Sequence, residues 1–176
     1  MDRVGSKTVF QGKVASVRID TFRYPDGSSS DREIIGHPGA VAIVAHDDHN
    51  LYLVRQPREA VGEDALLELP AGKLDDPEEH PLDCAKRELA EEVGKSASEW
   101  RELKRFYTTP GFAQEEVTVY LATELGQASA VPEEEERIEV VFWPLEKLDR
   151  AIEECRDAKS LIGLLLFRDL RESQLE

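Results

Sequence analysis

Three glutamates and one arginine lie close together in a single short segment, Arg87-Glu88-Leu89-Ala90-Glu91-Glu92. On a helix, which turns by about 100° per residue, Glu88 and Glu92 lie about 40° apart, and Glu91 lies about 60° to the other side of Glu88. Like charges on one stripe of a helix repel each other, but a divalent cation, which prefers carboxylate oxygens, would reverse that repulsion. Taken alone, the pattern is more typical of a solvated acidic helix face, and a cation site is the alternative that the rest of the segment must support.

The element that must position these carboxylates is a helix. Its apolar residues recur at spacings of three and four between residues 81 and 93, with a proline at the start and Gly94 just past the end. Arg87 is four residues before Glu91 and can pair with it. We expect this pairing to fix Glu91 and to leave Glu88 and Glu92 for a metal.

The rest of the chain alternates strand-like runs with turn residues. We expect strands at residues 8–22, 32–35, 40–45, 51–54, 66–69, 101–108, 116–122 and 138–143, and two further helices at 145–155 and 160–171. Strands before and after a central helix, with helices closing the chain, predict an α/β fold in which a mixed sheet is covered on both faces, an α/β/α sandwich.

Composition excludes several classes of function. Lys and Arg number 22 against 37 Asp and Glu, which gives a net charge of −15 and argues against a nucleic-acid binder or a lipid-surface protein. No apolar run approaches the roughly 20 residues of a membrane helix, and the first residues do not form a secretory signal. We therefore expect a cytoplasmic protein with no nucleic-acid or membrane partner.

The 23 residues from Gly72 to Gly94 resemble the signature of the Nudix hydrolase family, G-x5-E-x7-R-E-U-x-E-E-x-G-U, where U is apolar. Counting back from Arg87 selects Glu79 as the loop glutamate, whereas counting forward from Gly72 selects Glu78. The loop is thus one residue longer than the family pattern, and both glutamates stay open for that position. The resemblance implies a Nudix-type α/β/α sandwich at 38–176 and a small N-terminal antiparallel β subdomain at 1–37.

Within that family, the chain is most similar to the ADP-ribose pyrophosphatases. The similarity lies in Val54-Arg55-Gln56-Pro57-Arg58, Glu68-Leu69-Pro70-Ala71-Gly72-Lys73-Leu74, Pro110-Gly111-Phe112-Ala113-Gln114-Glu115 and the run Glu133-Glu134-Glu135-Glu136. The resemblance implies that a metal is held by the carbonyl of Ala71 and by Glu88, Glu91 and Glu92. It implies catalytic roles for Arg87, Glu91 and one glutamate of the acidic run, Glu135 or Glu136. It implies substrate binding by Arg32, Arg55, Arg58, Phe112 and Glu115.

The residue types suit these roles, although simpler interpretations exist for each. A guanidinium can grip phosphate oxygens at two points, and a carboxylate can accept hydrogen bonds from both hydroxyls of a ribose. The alternatives are surface ion pairs for Arg55 and Arg58, simple packing for Phe112, and a solvated charge run for residues 133–136.

The resemblance implies one reaction and two alternatives. The reaction is hydrolysis of ADP-ribose, a small nucleoside diphosphate sugar, to AMP and ribose 5-phosphate with Mg²⁺, or else Mn²⁺, as the cofactor. It also implies a homodimer that exchanges the N-terminal subdomain, so that Arg32 reaches the substrate of the partner. The alternatives are another nucleoside diphosphate sugar, such as GDP-mannose or ADP-glucose, and a module that binds a nucleotide without cleaving it.

Overall fold

The computed structural model describes residues 1–76, 78–128 and 137–173. These residues form two compact units. One consists of Met1–Gly39 with Phe106–Glu116, and the other of Ala40–Arg105 with Val117–Glu176.

The first unit contains a three-stranded antiparallel sheet in the order β1-β2-β3. Its strands are β1 (Asp2–Gln11), β2 (Ser16–Arg23) and β3 (Ser29–Gly36). The predicted N-terminal antiparallel sheet is confirmed, but the prediction of one strand over residues 8–22 is wrong. The chain reverses there, and the Gly12 N–H donates to the Ala15 carbonyl at 2.9 Å. This turn contains no proline and no Asn-Gly or Asp-Gly pair, so the apolar alternation masks it.

The second unit is built on a mixed sheet in the order β10-β5-β4-β9-β8, with β6 paired to β5 and β7 paired to β4. Strands β4 and β9 are parallel, and the β4–β5, β5–β6, β4–β7 and β5–β10 pairs are antiparallel. The strands are β4 (Ala40–His46), β5 (Asn50–Arg58), β6 (Glu63–Glu68), β7 (Ala71–Lys73), β8 (Lys95–Tyr107), β9 (Glu116–Gln127) and β10 (Glu139–Pro144).

Three helices complete the second unit: α1 (Pro81–Val93), α2 (Leu148–Glu154) and α3 (Ala158–Ser173). The bounds of α1 are those that the sequence predicts. His80 caps its start by accepting the Leu82 N–H, and Gly94 ends it at a φ of 69°, which glycine adopts without strain. The helix predicted over 145–155 is instead a short 3₁₀ turn, Leu145–Lys147, followed by α2.

The helices of the second unit cover both faces of its sheet. Alternate residues of β4 point to opposite faces, and Ile43 lies in one core cluster with Ala85 and Leu89 of α1. On the other face, α3 approaches so closely at Gly163 that a Cβ there would lie 3.3 Å from the Val44 side chain. The predicted α/β/α sandwich is confirmed.

None of the helices in the described ranges is long and apolar enough to cross a membrane.

Candidate active site

Helix α1 presents two of its carboxylates to the short strand β7. The Ala71 N–H donates to Glu92 Oε2 at 2.9 Å. Glu92 is buried, with only 6% of its surface exposed. A Cβ built on Gly72 would lie 1.9 Å from Cδ of Glu88, so the Glu88 carboxylate occupies the space that this glycine leaves. Glu88 and Glu92 therefore face the same strand, as their helical spacing predicts.

Arg87 connects three carboxylates instead of one. Its Nη1 donates to Glu88 Oε1 at 2.7 Å and to Glu91 Oε2 at 2.9 Å. The expected pair with Glu91 is present, and the same nitrogen also contacts Glu88, a pair that the sequence does not predict. The pKa of Arg87 is raised, first by its hydrogen bond to Glu79, then by the charge of Glu88 and by the hydrogen bonds to Glu91 and Glu88.

The loop glutamate that contacts Arg87 is Glu79. Two parallel bonds of 3.1 Å join Arg87 Nε and Nη2 to the two Glu79 oxygens. This hydrogen bonding lowers the pKa of Glu79 below its ordinary value. The Glu78 backbone N–H, by contrast, donates to Asp76 Oδ1, and its side chain makes no hydrogen bond or ion pair with a described residue. The geometry thus distinguishes two glutamates that motif counting leaves open.

The donor set on α1 and β7 suits a hard divalent cation. The Glu92 carboxylate is bonded to the Ala71 N–H and the Glu88 carboxylate lies against Gly72, and oxygen donors of this kind are those that Mg²⁺ and Mn²⁺ prefer. Glu91 is turned toward Arg87. Within residues 1–76, 78–128 and 137–173, no three acidic, histidine or cysteine side chains meet as a metal-binding group.

Arg58 lies in a charged network in the same unit. It donates to both oxygens of Glu68, from Nε at 2.6 Å and from Nη2 at 2.8 Å, although Glu68 is only 1% exposed. Lys159 Nζ donates to the same carboxylate at 2.6 Å and to Asp157 at 2.9 Å. The pKa of Arg58 is raised, first by its hydrogen bond to Glu68 and further by the charges of Asp157 and Glu92. Arg58 therefore lies within electrostatic range of a carboxylate of α1.

The start of α3 also fixes the chain segment between Glu68 and Ala71. The Leu69 N–H donates to Ser160 Oγ at 2.8 Å, and Ser160 Oγ donates to Asp157 Oδ2 at 2.6 Å. The segment is thus held at Glu68 and Leu69 by α3 and at Ala71 by Glu92.

Arg55, the other predicted arginine of β5, takes different partners. It is paired with Glu154 of α2, and its Nη1 donates to the Ala65 carbonyl at 3.2 Å. Both arginines are thus partly exposed, but Arg55 is paired with a partly exposed carboxylate and Arg58 with a buried one.

The remaining predicted substrate residues belong to the first unit. Arg32 donates to the Asp31 carbonyl at 2.9 Å and to the Tyr24 hydroxyl at 3.1 Å. Phe112 is 51% exposed, and Glu115 accepts a 2.7 Å hydrogen bond from the Thr108 hydroxyl. The Phe112 carbonyl accepts from the Ile35 N–H at 2.8 Å, so its loop is joined to the end of β3.

The predicted catalytic glutamates Glu135 and Glu136 lie outside the described residues.

Sequence reasoning misses the part that Glu68 and Lys159 play. The sequence does contain one indication: Glu68 lies between two leucines in the apolar run Leu66-Leu67-Glu68-Leu69 and is therefore expected to be buried. A buried charge requires a partner of opposite charge. The identity of that partner was not available, since Lys159 lies 91 positions further along the chain.

Comparison with known proteins agrees with this arrangement. A family model described as NUDIX domain matches residues 36–162. The chain is 40% identical over 166 residues to an ADP-ribose pyrophosphatase of Bacillus subtilis, a match that covers 92% of this chain and 89% of that protein. It is 42% identical over 155 residues to an ADP-ribose pyrophosphatase of Mycobacterium tuberculosis, with 86% and 74% covered.

A solved structure gives the same result at the level of the fold. The crystal structure of an ADP compounds hydrolase matches with a TM-score of 0.86 at 26% identity, covering 98% of this chain and 95% of that one. The signature on α1, the architecture of the sheet and these matches agree, and the chain belongs to the Nudix hydrolase family.

Proposed function

We propose that this protein hydrolyses the pyrophosphate of ADP-ribose to AMP and ribose 5-phosphate with Mg²⁺ as the cofactor. The observation that carries the proposal is the placement of Glu88 and Glu92 against the Ala71–Lys73 strand. A pyrophosphate is an anion, and a chain with a net charge of −15 can accept it only where cations neutralise it. The names of the two relatives above support ADP-ribose as the substrate.

Four charged residues of α1, Arg87, Glu88, Glu91 and Glu92, have a part in this proposal. Glu88, Glu92 and the Ala71 carbonyl would hold the cation, with Glu91 beside them. When bound, a divalent cation stabilises the charge that develops on phosphoryl oxygens and lowers the pKa of water. Arg87 keeps Glu88 and Glu91 in place through Nη1, and Glu79 holds the other edge of the same guanidinium.

Five residues are candidates for binding the substrate. Arg58 suits the pyrophosphate, because a guanidinium binds phosphate oxygens directionally. Arg55, Arg32, Phe112 and Glu115 are the other candidates, with Glu115 suited to ribose hydroxyls. The attacking water would be oriented or deprotonated by Glu135 or Glu136.

The proposed assembly is a cytoplasmic homodimer in which residues 1–37 are exchanged between partners. The first unit supports this, because Val4, Val9, Phe10 and Val14 are between 47% and 60% exposed. Several large exposed apolar side chains in one small unit favour contact with another protein surface.

Two alternatives make different predictions about products. If the physiological substrate is GDP-mannose or ADP-glucose, the same α1 site cleaves that compound, because the site concerns the pyrophosphate alone. If the protein only binds nucleotides, ADP-ribose remains intact. The intact Arg87, Glu88, Glu91 and Glu92 favour an enzyme, since a pure binder does not need a cation-holding helix.

A substrate panel separates these three functions. ADP-ribose, ADP-glucose and GDP-mannose are each incubated with the protein and Mg²⁺, and the products are identified by chromatography. We expect AMP and ribose 5-phosphate from ADP-ribose at the highest kcat/KM, and no product in EDTA. A higher kcat/KM for ADP-glucose or GDP-mannose would identify that compound as the substrate. Tight binding of ADP-ribose without release of AMP would show that the protein is a binding module and not an enzyme.

A further inference from the structure

The Glu68 carboxylate is the most deeply buried charged group of the Arg58 network, and it has two cationic partners. Arg58 contacts it through both Nε and Nη2, and Lys159 contacts Oε2 from α3. Asp157 in turn accepts from Lys159. Two carboxylates and two cations thus balance, so the cluster can be buried without a net charge.

This arrangement uses only one edge of the Arg58 guanidinium. Nε and Nη2 are bound to Glu68, whereas Nη1 makes no hydrogen bond to any residue in the described ranges. The Arg58 side chain is 40% exposed although its partner is buried. The buried carboxylate therefore orients the guanidinium and leaves its remaining N–H groups directed away from Glu68.

Two hydrogen bonds and one electrostatic interaction connect this network to the cation-holding part of the site. Glu68 is followed by Leu69, Pro70 and Ala71, and Ala71 is hydrogen-bonded to Glu92. Ser160 of the same α3 turn accepts the Leu69 N–H. The charge of Glu92 also acts on Arg58. One short segment thus positions an arginine at one end and a strand beside the α1 carboxylates at the other.

We infer that Glu68 is a positioning residue for the reaction: it holds Arg58 by two bonds so that Nη1 is available to a phosphate oxygen of the substrate. The inference rests on the proposed function, because it assigns Arg58 to the pyrophosphate. Lys159 balances the Glu68 charge and is not itself required to reach the substrate. Glu68 acts through Arg58 alone, so its effect disappears when Arg58 is absent.

A double-mutant cycle tests this inference. Glu68→Gln keeps the shape of the side chain but loses one acceptor oxygen and the charge, and we expect the KM for ADP-ribose to rise about tenfold with a smaller change in kcat. Arg58→Ala should raise KM at least as much. The KM of the double variant should be within about twofold of the KM of Arg58→Ala, because Glu68 acts through Arg58. If the two residues acted independently, their effects on KM would multiply.

The matched control is Glu63→Gln. Glu63 lies on the same strand as Glu68 and is paired with Arg156 at the surface, so its loss should leave KM unchanged. Circular dichroism and thermal unfolding show whether each variant is folded. Glu68→Asp is the second variant: it keeps the charge but withdraws the carboxylate, and it should raise KM in the same way.

Three results would overturn the inference. One is a KM of Glu68→Gln within about twofold of the wild type, and another is multiplied losses in the double variant. The third is failure of both Glu68 variants to fold, which would assign Glu68 to the stability of the fold alone. The same cycle measured as ADP-ribose affinity in EDTA, by calorimetry, gives the coupling without turnover. A wild type that does not cleave ADP-ribose contradicts the proposed function, whereas an active wild type with an additive cycle contradicts only this inference.

Discussion

The Glu92 carboxylate accepts a hydrogen bond from a backbone amide, and a neutral side-chain amide can accept the same bond. Glu92→Gln should therefore keep the contact with Ala71 while removing the charge that a cation needs. We expect kcat to fall by about three orders of magnitude, equivalent to about 4 kcal/mol of transition-state stabilisation. The melting temperature without metal should change by only a few degrees.

Glu99→Gln is the control for Glu92→Gln, since Glu99 is an exposed residue of β8. It should have wild-type activity. Near-normal turnover by Glu92→Gln with Mg²⁺ would remove Glu92 from the cation site.

Glu79 makes the acid stability of the protein depend on one ion pair. Its pKa in the folded protein is below the ordinary value of 4.5, because Arg87 stabilises the charged form. The resulting stability is fully present above pH 4.5 and is lost as the pH falls through the lowered pKa. Glu79→Gln should thus cost about 1 kcal/mol of unfolding free energy at pH 7, a value reduced because the pair is partly exposed.

Urea unfolding of wild type and variant between pH 7 and pH 3 measures this difference. The two stabilities should converge below pH 4.5. Glu78→Gln is the control and should follow the wild type at every pH. A Glu78 variant with the larger effect would reverse the assignment of the loop glutamate.

For individual residues, the sequence predicts which charged side chains lie on one face of α1 better than it predicts their hydrogen-bond partners. The spacing of Glu88, Glu91 and Glu92 places them correctly relative to the helix, since helical angles follow from spacing alone. The partner of Arg58 was not predictable, because Glu68 reaches it through the pairing of β5 with β6, and Lys159 comes from α3. Such contacts depend on tertiary structure and not on local periodicity.

In the candidate site, β7 and α1 pack closely where Gly72 meets the Glu88 side chain. Gly72→Ala would place a methyl group in the position of the Glu88 carboxyl group. That carboxyl is the end of a flexible side chain, so it can move away at little cost, and stability should stay within about 1 kcal/mol of the wild type. The moved carboxylate would no longer be placed for a cation, and kcat should fall about a hundredfold.

Gly5→Ala is the matched control in a different strand. Its added methyl would meet Thr21 at an ordinary contact distance of 3.4 Å, so activity should not change. Wild-type turnover by Gly72→Ala would show that the position of Glu88 does not matter. A large loss of stability would show that Glu88 cannot move.

The elements with the strongest local signals are those that the sequence predicts most closely. Helix α1 has an apolar stripe, a proline at its start and a glycine after its end, and its bounds are as predicted. Strand β8 begins at Lys95, six residues earlier than predicted. The prediction misses these residues because most of them are polar or small and show no regular apolar alternation. Sheet pairing compensates for such weak local preference, and pairing partners are distant in sequence.

At the scale of the whole molecule, the exposed apolar residues of the first unit carry the proposal of a homodimer. If that surface is the interface, the molar mass of the wild type measured by sedimentation should be twice the chain mass of 19.8 kDa. Phe10→Asp should shift the protein toward the monomer, because a charge desolvated in an apolar interface is costly. Analytical ultracentrifugation measures both, and Val61→Asp, an exposed change in the second unit, is the control.

A monomeric wild type at micromolar concentration would contradict the homodimer without affecting the assignment of the α1 site. A dimer that withstands Phe10→Asp would move the interface to another surface.

Incubation with ADP-ribose and Mg²⁺ in ¹⁸O-labelled water is the sharpest test of the proposed hydrolysis, because it reports the substrate, the catalysis and the phosphorus attacked together. Mass spectrometry of the products should show one ¹⁸O atom in the phosphate of either AMP or ribose 5-phosphate, with no products in EDTA or with Glu92→Gln. The site of the label identifies the phosphorus that is attacked. Intact ADP-ribose after prolonged incubation with Mg²⁺ or Mn²⁺, or equal product formation by Glu92→Gln, would contradict the account.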